Sequence, residues 1–338
     1  MLEVYMKFKV TTAFLAVLLA MFLPRLFIAG KADNAEKGNL KDVPESENVD
    51  VNENEDILEI SVLMGDVTVE MDIEEYLVGV VAGEMPFSFE DEAIKAQAVA
   101  ARTYTLYKLQ VEPSANHDAD VCTNPACCKA YADEAALREK WGVDYDDNIT
   151  RIRALVWSTR GTYMVYEDEP VLAVFHSSSS GMTESSGNVW NEDLPYLSAV
   201  ESPEGADSVR NYVSVTEIES EDFKLRFLKD NPEAQFSENR EEWVTDIVYS
   251  DSGRINSLKI GGVKIRGTEL RSIYGLRSTA AEIEVGESSV IFVVTGYGHG
   301  VGLSQYGANT MAKEGSSWQE ILQWYYTGIS FDTLLGTI

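Results

Sequence analysis

The segment from Tyr76 to Leu109, YLVGVVAGEMPFSFEDEAIKAQAVAARTYTLYKL, limits the fold more than any other part of the chain. Its pattern predicts two helices joined by a short turn. Asp72 and Glu75 form a D-x-x-E capping signal ahead of the apolar positions Tyr76, Leu77, Val80 and Val81. Pro86 disfavours helical geometry at Met85, so the first helix is predicted to stop near Glu84. Ser88 and Asp91 open a second helix as a capping pair, and its stripe runs through Ile94, Ala98, Ala101 and Leu109. Ala93, Ala96 and Ala100 fill other sides of that helix, so neighbours can approach it closely from more than one direction.

This pattern puts Glu84 at a helix C-terminus, among Val80, Val81 and Met85. The negative end of the helix dipole and the apolar surroundings both disfavour its ionised form. A carboxyl that stays protonated near neutral pH is what a general acid needs, which makes Glu84 the candidate catalytic residue. The plainer reading is a solvated residue in the last turn of a helix.

Composition narrows the function classes. Hydrophobic residues at 45% and charged residues at 25% are ordinary for a globular protein, but the net charge of −29 is not. No run of Lys and Arg exists to neutralise phosphates, which argues against nucleic acid, and the charge also argues against electrostatic binding to an anionic membrane surface. At the N-terminus, Lys7 and Lys9 precede an apolar stretch from Val10 to Gly30 that Pro24 and Arg25 interrupt. No good small-x-small cleavage site follows, so residues 1–30 read as a signal-anchor in preference to a cleaved signal peptide. The positive flank places the bulk of the chain outside the cytoplasm. Residues 31–56 are acidic, poor in large apolar side chains and expected to form a disordered tether. Residues 57–338 are long enough for one large domain or two moderate ones.

All three cysteines fall in HDADVCTNPACC, from His117 to Cys128. His117, Cys122, Cys127 and Cys128 supply four N/S ligands, the set for a closed, structural zinc site, and Asn124-Pro125 provides a turn between them. Adjacent cysteines rarely hold one ion together, which makes Cys127 the weakest member of the set. A disulfide between two of the three, leaving one thiol free, is the competing reading for an exported chain.

Two further stretches can line a cleft. In VLAVFHSSSSGMTESSG a strand from Val171 to Phe175 is expected to end in His176, Ser177 and Ser178, short donors and acceptors of the kind that suit sugar hydroxyls. A serine hydrolase is disfavoured, because no G-x-S-x-G elbow is present and no Asp is placed to orient an imidazole. The second stretch, GYGHGVGLSQYGA, follows a strand from Val290 to Thr295 and runs into a helix from Ser304 to Lys313. Its glycines permit close approach to a ligand, and the helix amides are expected to face a polar group. It is not a phosphate loop, since the ordered glycines and lysine of that motif are absent. Residues 205–295 alternate short apolar runs with turns and read as a β-rich insertion. The expected fold class is therefore α+β: a helical catalytic core around the long Ala-rich helix, plus an inserted β-rich subdomain.

Taken together, Tyr76–Leu109, HSSSSGMTESSGNVW and GYGHGVGLSQYGA resemble the stage II sporulation protein D family, which includes amidase enhancers of bacterial autolysis. The resemblance runs from about Ile57 to the C-terminus. It implies a sporulation-specific lytic transglycosylase that cuts peptidoglycan glycan strands during engulfment, with Glu84 as its acid and base. It further implies zinc held through His117, Cys122 and Cys128, with Cys127 standing where some members carry His. His299 and Gln305 resemble cleft residues of the family pattern, with a buried structural role as the competing reading of His299, and Arg102 and Tyr196 fall where the family needs its residue, whereas Ser198 replaces a basic residue of some members. The implied partners are the sporulation amidase/endopeptidase SpoIIP, which removes stem peptides first, and the membrane protein SpoIIM. The implied location is the mother-cell membrane, facing the space between the two membranes around the forespore. The rival functions are a noncatalytic amidase enhancer that binds wall polymer and an extracytoplasmic structural tether.

Overall fold

The described residues of the computed structural model are 58–111, 113, 117–190 and 192–334. The expected anchor and acidic tether lie outside them. No helix among the described residues is long and apolar enough to cross a membrane.

The first part of the chain forms β1 (Glu59–Met64), β2 (Val67–Asp72), α1 (Ile73–Glu84), α2 (Asp91–Gln110), β3 (Val121–Cys122), α3 (Glu134–Trp141) and α4 (Tyr145–Trp157). It continues through β4 (Thr162–Tyr166), β5 (Glu169–Pro170), β6 (Phe175–His176) and α5 (Ser186–Val189). β1 and β2 form a hairpin, and β3 adds to β1 in parallel. α1 follows β2 directly, with the Asp72 carboxylate accepting the Glu74 N–H at 2.6 Å. The helix ends where expected: Met85 is extended (φ −104°, ψ 141°), as the residue before a proline tends to be.

α2 is the axis of the first core. Ala93, Ala96, Ala98, Ala100 and Ala101 are all buried, and α1, α4 and β4 pack around the helix. Its start differs from the expectation, because Ser88 is exposed and caps nothing. Glu90 occupies the capping position without a side-chain bond. The helix is fastened from outside instead: Asn309 Oδ1 accepts the Glu90 N–H at 2.8 Å, and Glu92 accepts the Trp318 N–H at 2.9 Å.

Residues 171–174 are not the strand that their apolar run predicts. The Val171 amide bonds Met164 and the Val174 amide bonds Leu172 in a tight turn, so only Phe175 and His176 remain to pair.

The middle of the chain builds a second core from β7 (Val213–Glu219), α6 (Ser220–Asp230), β8 (Val244–Tyr249), β9 (Ile255–Ile260), β10 (Val263–Arg266), α7 (Gly267–Tyr274), β11 (Ala281–Val285) and β12 (Ser289–Thr295). Two three-stranded sheets, ordered β8-β9-β10 and β7-β12-β11, enclose Phe223, Phe227, Trp243, Tyr274 and Phe292. The run VKIRGTELRSIYG becomes half strand and half helix. Glu269 reaches back to the Arg266 N–H at 2.8 Å and starts α7, while a Cβ on Gly267 would lie 1.8 Å from the Ile255 carbonyl oxygen.

The chain then returns to the first core as β13 (Leu303–Ser304), α8 (Gln305–Lys313), α9 (Trp318–Tyr325) and β14 (Ser330–Thr333). β13 pairs in parallel with β6, β14 closes the β5-β4-β14 sheet, and α8 and α9 both lean on α2. The architecture is α+β.

Candidate active site

Glu84 closes α1 at a point where two other segments converge. One is the stretch that follows the cysteines. Gly79 and Gly83, one turn apart on α1, leave a groove for it: a Cβ on Gly79 would lie 2.2 Å from the Tyr131 ring, and the Ala132 N–H bonds the Gly79 carbonyl at 3.1 Å. In that groove the Ala130 N–H donates to Glu84 Oε1 at 3.2 Å. Beside it the Lys129 ammonium lies 3.7 Å from the centre of the Tyr104 ring and 4.0 Å from that of Phe175. The other is the start of α8, which brings the Gln305 side chain near enough to favour the ionised form of Glu84, while Gln305 Nε2 donates to Gln97 Oε1 at 3.4 Å.

The electrostatics follow from this packing. Burial pushes the Glu84 carboxyl above the ordinary carboxylate range, while Lys129, the Ala130 amide and Gln305 pull the other way and do not cancel it. Burial likewise lowers the Lys129 ammonium, to about 8, against the opposing pull of Glu84. The neighbours of Glu84 are thus an amide N–H, a side-chain amide and an ammonium, with no carboxylate among them. Such a carboxyl can give up a proton and then be held as an anion.

His299 belongs to the same neighbourhood. Lys129 opposes its protonation through space, and its ring sits 5.3 Å from Trp190 and 5.7 Å from His176. Burial holds His299 well below the usual imidazole range, and it pushes His176 down to about 3 with help from Arg254. Both rings are neutral at pH 7. The Val301 N–H donates to His299 Nδ1 at 3.1 Å, whereas His176 donates from Nδ1 to the Val301 carbonyl at 3.2 Å. His176 Nε2 is buried without a partner.

The remaining sequence candidates lie elsewhere or turn inward. Arg102 is fully buried in a two-pronged ion pair with Glu74, at 2.5 and 2.9 Å, and also donates to the Thr162 carbonyl. Its position ties α2 to α1 and β4. The Tyr196 hydroxyl accepts the Leu172 N–H at 3.1 Å and its ring packs on Tyr166, with the residue 7% exposed. The Ser177 carbonyl takes the Tyr306 N–H, and Ser178 pairs its backbone with Tyr297 while its hydroxyl is buried. The α8 amides do not await a ligand: Ser304 Oγ accepts the Gly307 N–H, and the Tyr306 amide is used by Ser177. The glycine loop approaches its own chain. At Gly302 (φ +69°) a Cβ would lie 2.2 Å from the Val174 carbonyl oxygen.

The cysteine cluster adjoins this site. One ligand atom each from His117, Cys122, Cys127 and Cys128 lies within 4.8 Å of every other, and none of the three cysteines is in a disulfide. Cys128 Sγ is 3.7 Å from His117 Nε2 and 3.8 Å from Cys127 Sγ. A zinc tetrahedron with bonds of about 2.3 Å to sulfur and about 2.0 Å to nitrogen has edges of roughly 3.5–3.8 Å. The donor set fits the ion. His117 Nδ1 lies 2.7 Å from the Ala119 carbonyl oxygen, which can only accept, so Nε2 carries the free lone pair. The Cys122 N–H points at Cys128 Sγ from 3.3 Å, as suits a thiolate. Burial pushes the Cys128 thiol up to about 12, so a metal would have to displace its proton.

The stage II sporulation protein (SpoIID) family model matches residues 65–166, which span Glu84, α2 and the cysteine cluster. Stage II sporulation protein D of Bacillus subtilis (strain 168) is 35% identical over 261 residues, covering 76% of this chain and 73% of that protein. The Bacillus amyloliquefaciens protein of the same name is 35% identical over the same shares. The chain belongs to the stage II sporulation protein D family. A more distant relative, the amidase enhancer of Bacillus subtilis (strain 168), is 28% identical over 75% of this chain and 39% of its own length.

Within this family member, sequence reasoning missed Lys129 and the Gly79/Gly83 groove. The signal was present in the four-residue glycine spacing one residue before Glu84, and in a lysine directly after the last cysteine.

Proposed function

We propose that this protein is a lytic transglycosylase that cleaves peptide-free glycan strands of peptidoglycan, with Glu84 as its single acid and base. The observation that carries the reading is a half-buried carboxyl, biased toward its protonated form, beside an ammonium and with no second carboxylate among the described residues that shift it. Hydrolytic glycosidases pair two carboxyl groups, typically about 5–10 Å apart. A substrate that carries its own nucleophile needs one.

In the proposed reaction the Glu84 proton passes to the glycosidic oxygen after N-acetylmuramic acid, and the bond from that oxygen to C1 breaks. The resulting carboxylate is held by the Lys129 ammonium and the Ala130 N–H. The sugar's own 6-hydroxyl then attacks C1 and gives its proton to Glu84, leaving a 1,6-anhydro end and restoring the acid. No water enters the product.

Zinc held by His117, Cys122, Cys127 and Cys128 is proposed to be structural, since four protein ligands leave no open position. It would fix the loop that sets Lys129 and Ala130 against Glu84. The proposed setting is an anchored, extracytoplasmic one, and the proposed partner is an amidase that removes stem peptides, in keeping with the relative named amidase enhancer. That name also motivates the second reading, in which this protein activates an amidase without cutting glycan. The two differ in one experiment. Purified protein and its Glu84→Gln variant are incubated with peptide-free strands, and the products are read by mass spectrometry. Anhydro ends from the wild type alone support the transglycosylase; intact strands with a folded, metal-loaded wild type support the enhancer.

A further inference from the structure

A cleft of about 470 Å³ opens on the second core where α7 ends, lined by Arg271, Ser272, Leu276, Arg277 and Tyr297 among others. Its chemistry stands apart from the rest of the chain. In a protein with 56 acidic and 27 basic residues, two arginines share one cleft, and neither is in an ion pair among the described residues. The Arg277 guanidinium lies 4.1 Å from the centre of the Tyr297 ring, and its Nε has no hydrogen-bond partner. Arg271 uses Nε on the Leu276 carbonyl at 3.2 Å, closing the end of its helix. Tyr297 is 45% exposed, the one exposed residue of the glycine-rich loop 296–302.

The cleft also borders the candidate active site. Tyr297 is two residues from His299, a span of at most about 7 Å. The Gly298 N–H bonds the Arg277 carbonyl at 2.9 Å, and a Cβ on Gly298 would lie 2.6 Å from His176 Cβ. Arg271 is near enough to both histidines for its charge to oppose their protonation.

We propose that Arg271, Arg277 and Tyr297 form a subsite that binds the lactyl carboxylate of a peptide-free muramic acid, with Tyr297 packing against a sugar face. The proposal rests on the reading that this site acts on glycan strands. Unpaired guanidiniums beside an exposed aromatic fit a ligand with both an anionic group and an apolar ring face. A glycan strand offers that pair only after its stem peptides are removed. Hydrolysis of the lactyl amide adds water, releases the peptide as its amine and leaves a carboxylate on the sugar; before that step the same position is a neutral amide. The subsite would therefore admit the product of an amidase and disfavour its substrate.

The test is equilibrium binding in the Glu84→Gln background, so that affinity is read without cleavage. Three ligands are compared: peptide-free strands, the same strands with their carboxylates methyl-esterified, and strands that keep their stem peptides. Peptide-free strands are expected to bind at least about tenfold more tightly than either of the others, the margin of one charge-assisted contact. Arg271→Gln and Arg277→Gln should each reduce that margin, and Arg277→Lys should retain part of it. Tyr297→Ala should weaken all three ligands together. If either glutamine variant fails to melt cooperatively, the comparison of free and esterified strands on the parent protein decides. Equal binding of those two ligands overturns the proposal. So does equal binding of peptide-bearing strands, or an unchanged margin in folded glutamine variants. Failure of the wild type to cut glycan, with the binding margin intact, would overturn the transglycosylase reading and leave the subsite standing.

Discussion

Glu84 and Lys129 are two half-buried groups of opposite charge type whose balance sets the proposed chemistry. A general acid works from its protonated form, so strand cleavage should slow as pH rises through the raised Glu84 pKa. The positive charge of Lys129 favours the ionised carboxylate. Its removal in Lys129→Met should move the alkaline fall in rate to higher pH, and a pH–rate profile that stays in place or moves down would contradict the assignment. The two histidines make a separate prediction about stability. His176 is held at about 3 in the folded state against the usual 6.5, so the unfolded chain binds the extra proton. Stability from this group is complete above about 6.5 and is lost as pH falls toward 3, at up to about 1.4 kcal/mol per pH unit. Urea melts at pH 7, 6 and 5 should show that decline, and His176→Gln should make it shallower.

At the scale of elements, α2 is held by one ion pair that its sequence only half announces. Arg102 was legible as a residue with a task, but its partner Glu74 lies 28 positions away on α1, and no local pattern links them. Replacing Arg102 with Met leaves the Glu74 carboxylate buried without its counter-charge, an expected loss of about 3–5 kcal/mol in denaturant melts. The α1 boundaries, the Ala-rich character of α2 and the α8 span were readable because capping, proline and apolar period act within a few residues. The starts of α2 and β6 were misread because distant groups, Asn309 and the Met164 carbonyl among them, take up the local amides. The cysteine loop joins both scales. Chelation, or Cys128→Ser, is expected to lower the melting temperature by roughly 10 °C or more and to slow cleavage, because the loop that carries Lys129 loses its clasp. Unchanged melting after verified metal removal would separate the loop from the metal.

Across the whole molecule, buried polar links join the second core to the site. Glu184 accepts bonds from the Ser250 and Ser252 hydroxyls at the β8–β9 turn, and Arg254, almost fully buried, donates to the Met182 carbonyl. Glu204 gathers the Ser179 amide and the Ser202 and Ser304 hydroxyls, which wires the serine run to the start of α8. These carboxylates read as surface charge in a chain this acidic, because burial of a single Glu leaves no periodic trace in the sequence. The serine and glycine motifs were visible as special, yet much of their chemistry is spent on fastening the chain to itself. What converges on Glu84 comes from residues 84, 129, 130 and 305, brought together by packing that no single segment encodes. The central claim is that this one carboxyl cuts glycan with the sugar's own hydroxyl as nucleophile. The most direct measurement is digestion of peptide-free strands in water enriched in the heavy oxygen isotope, with mass spectrometry of the released ends. The account expects ends lighter by one water than hydrolytic products, free of heavy oxygen, and absent with Glu84→Gln. Heavy oxygen in the new reducing ends, or cleavage that persists in that variant, would contradict it.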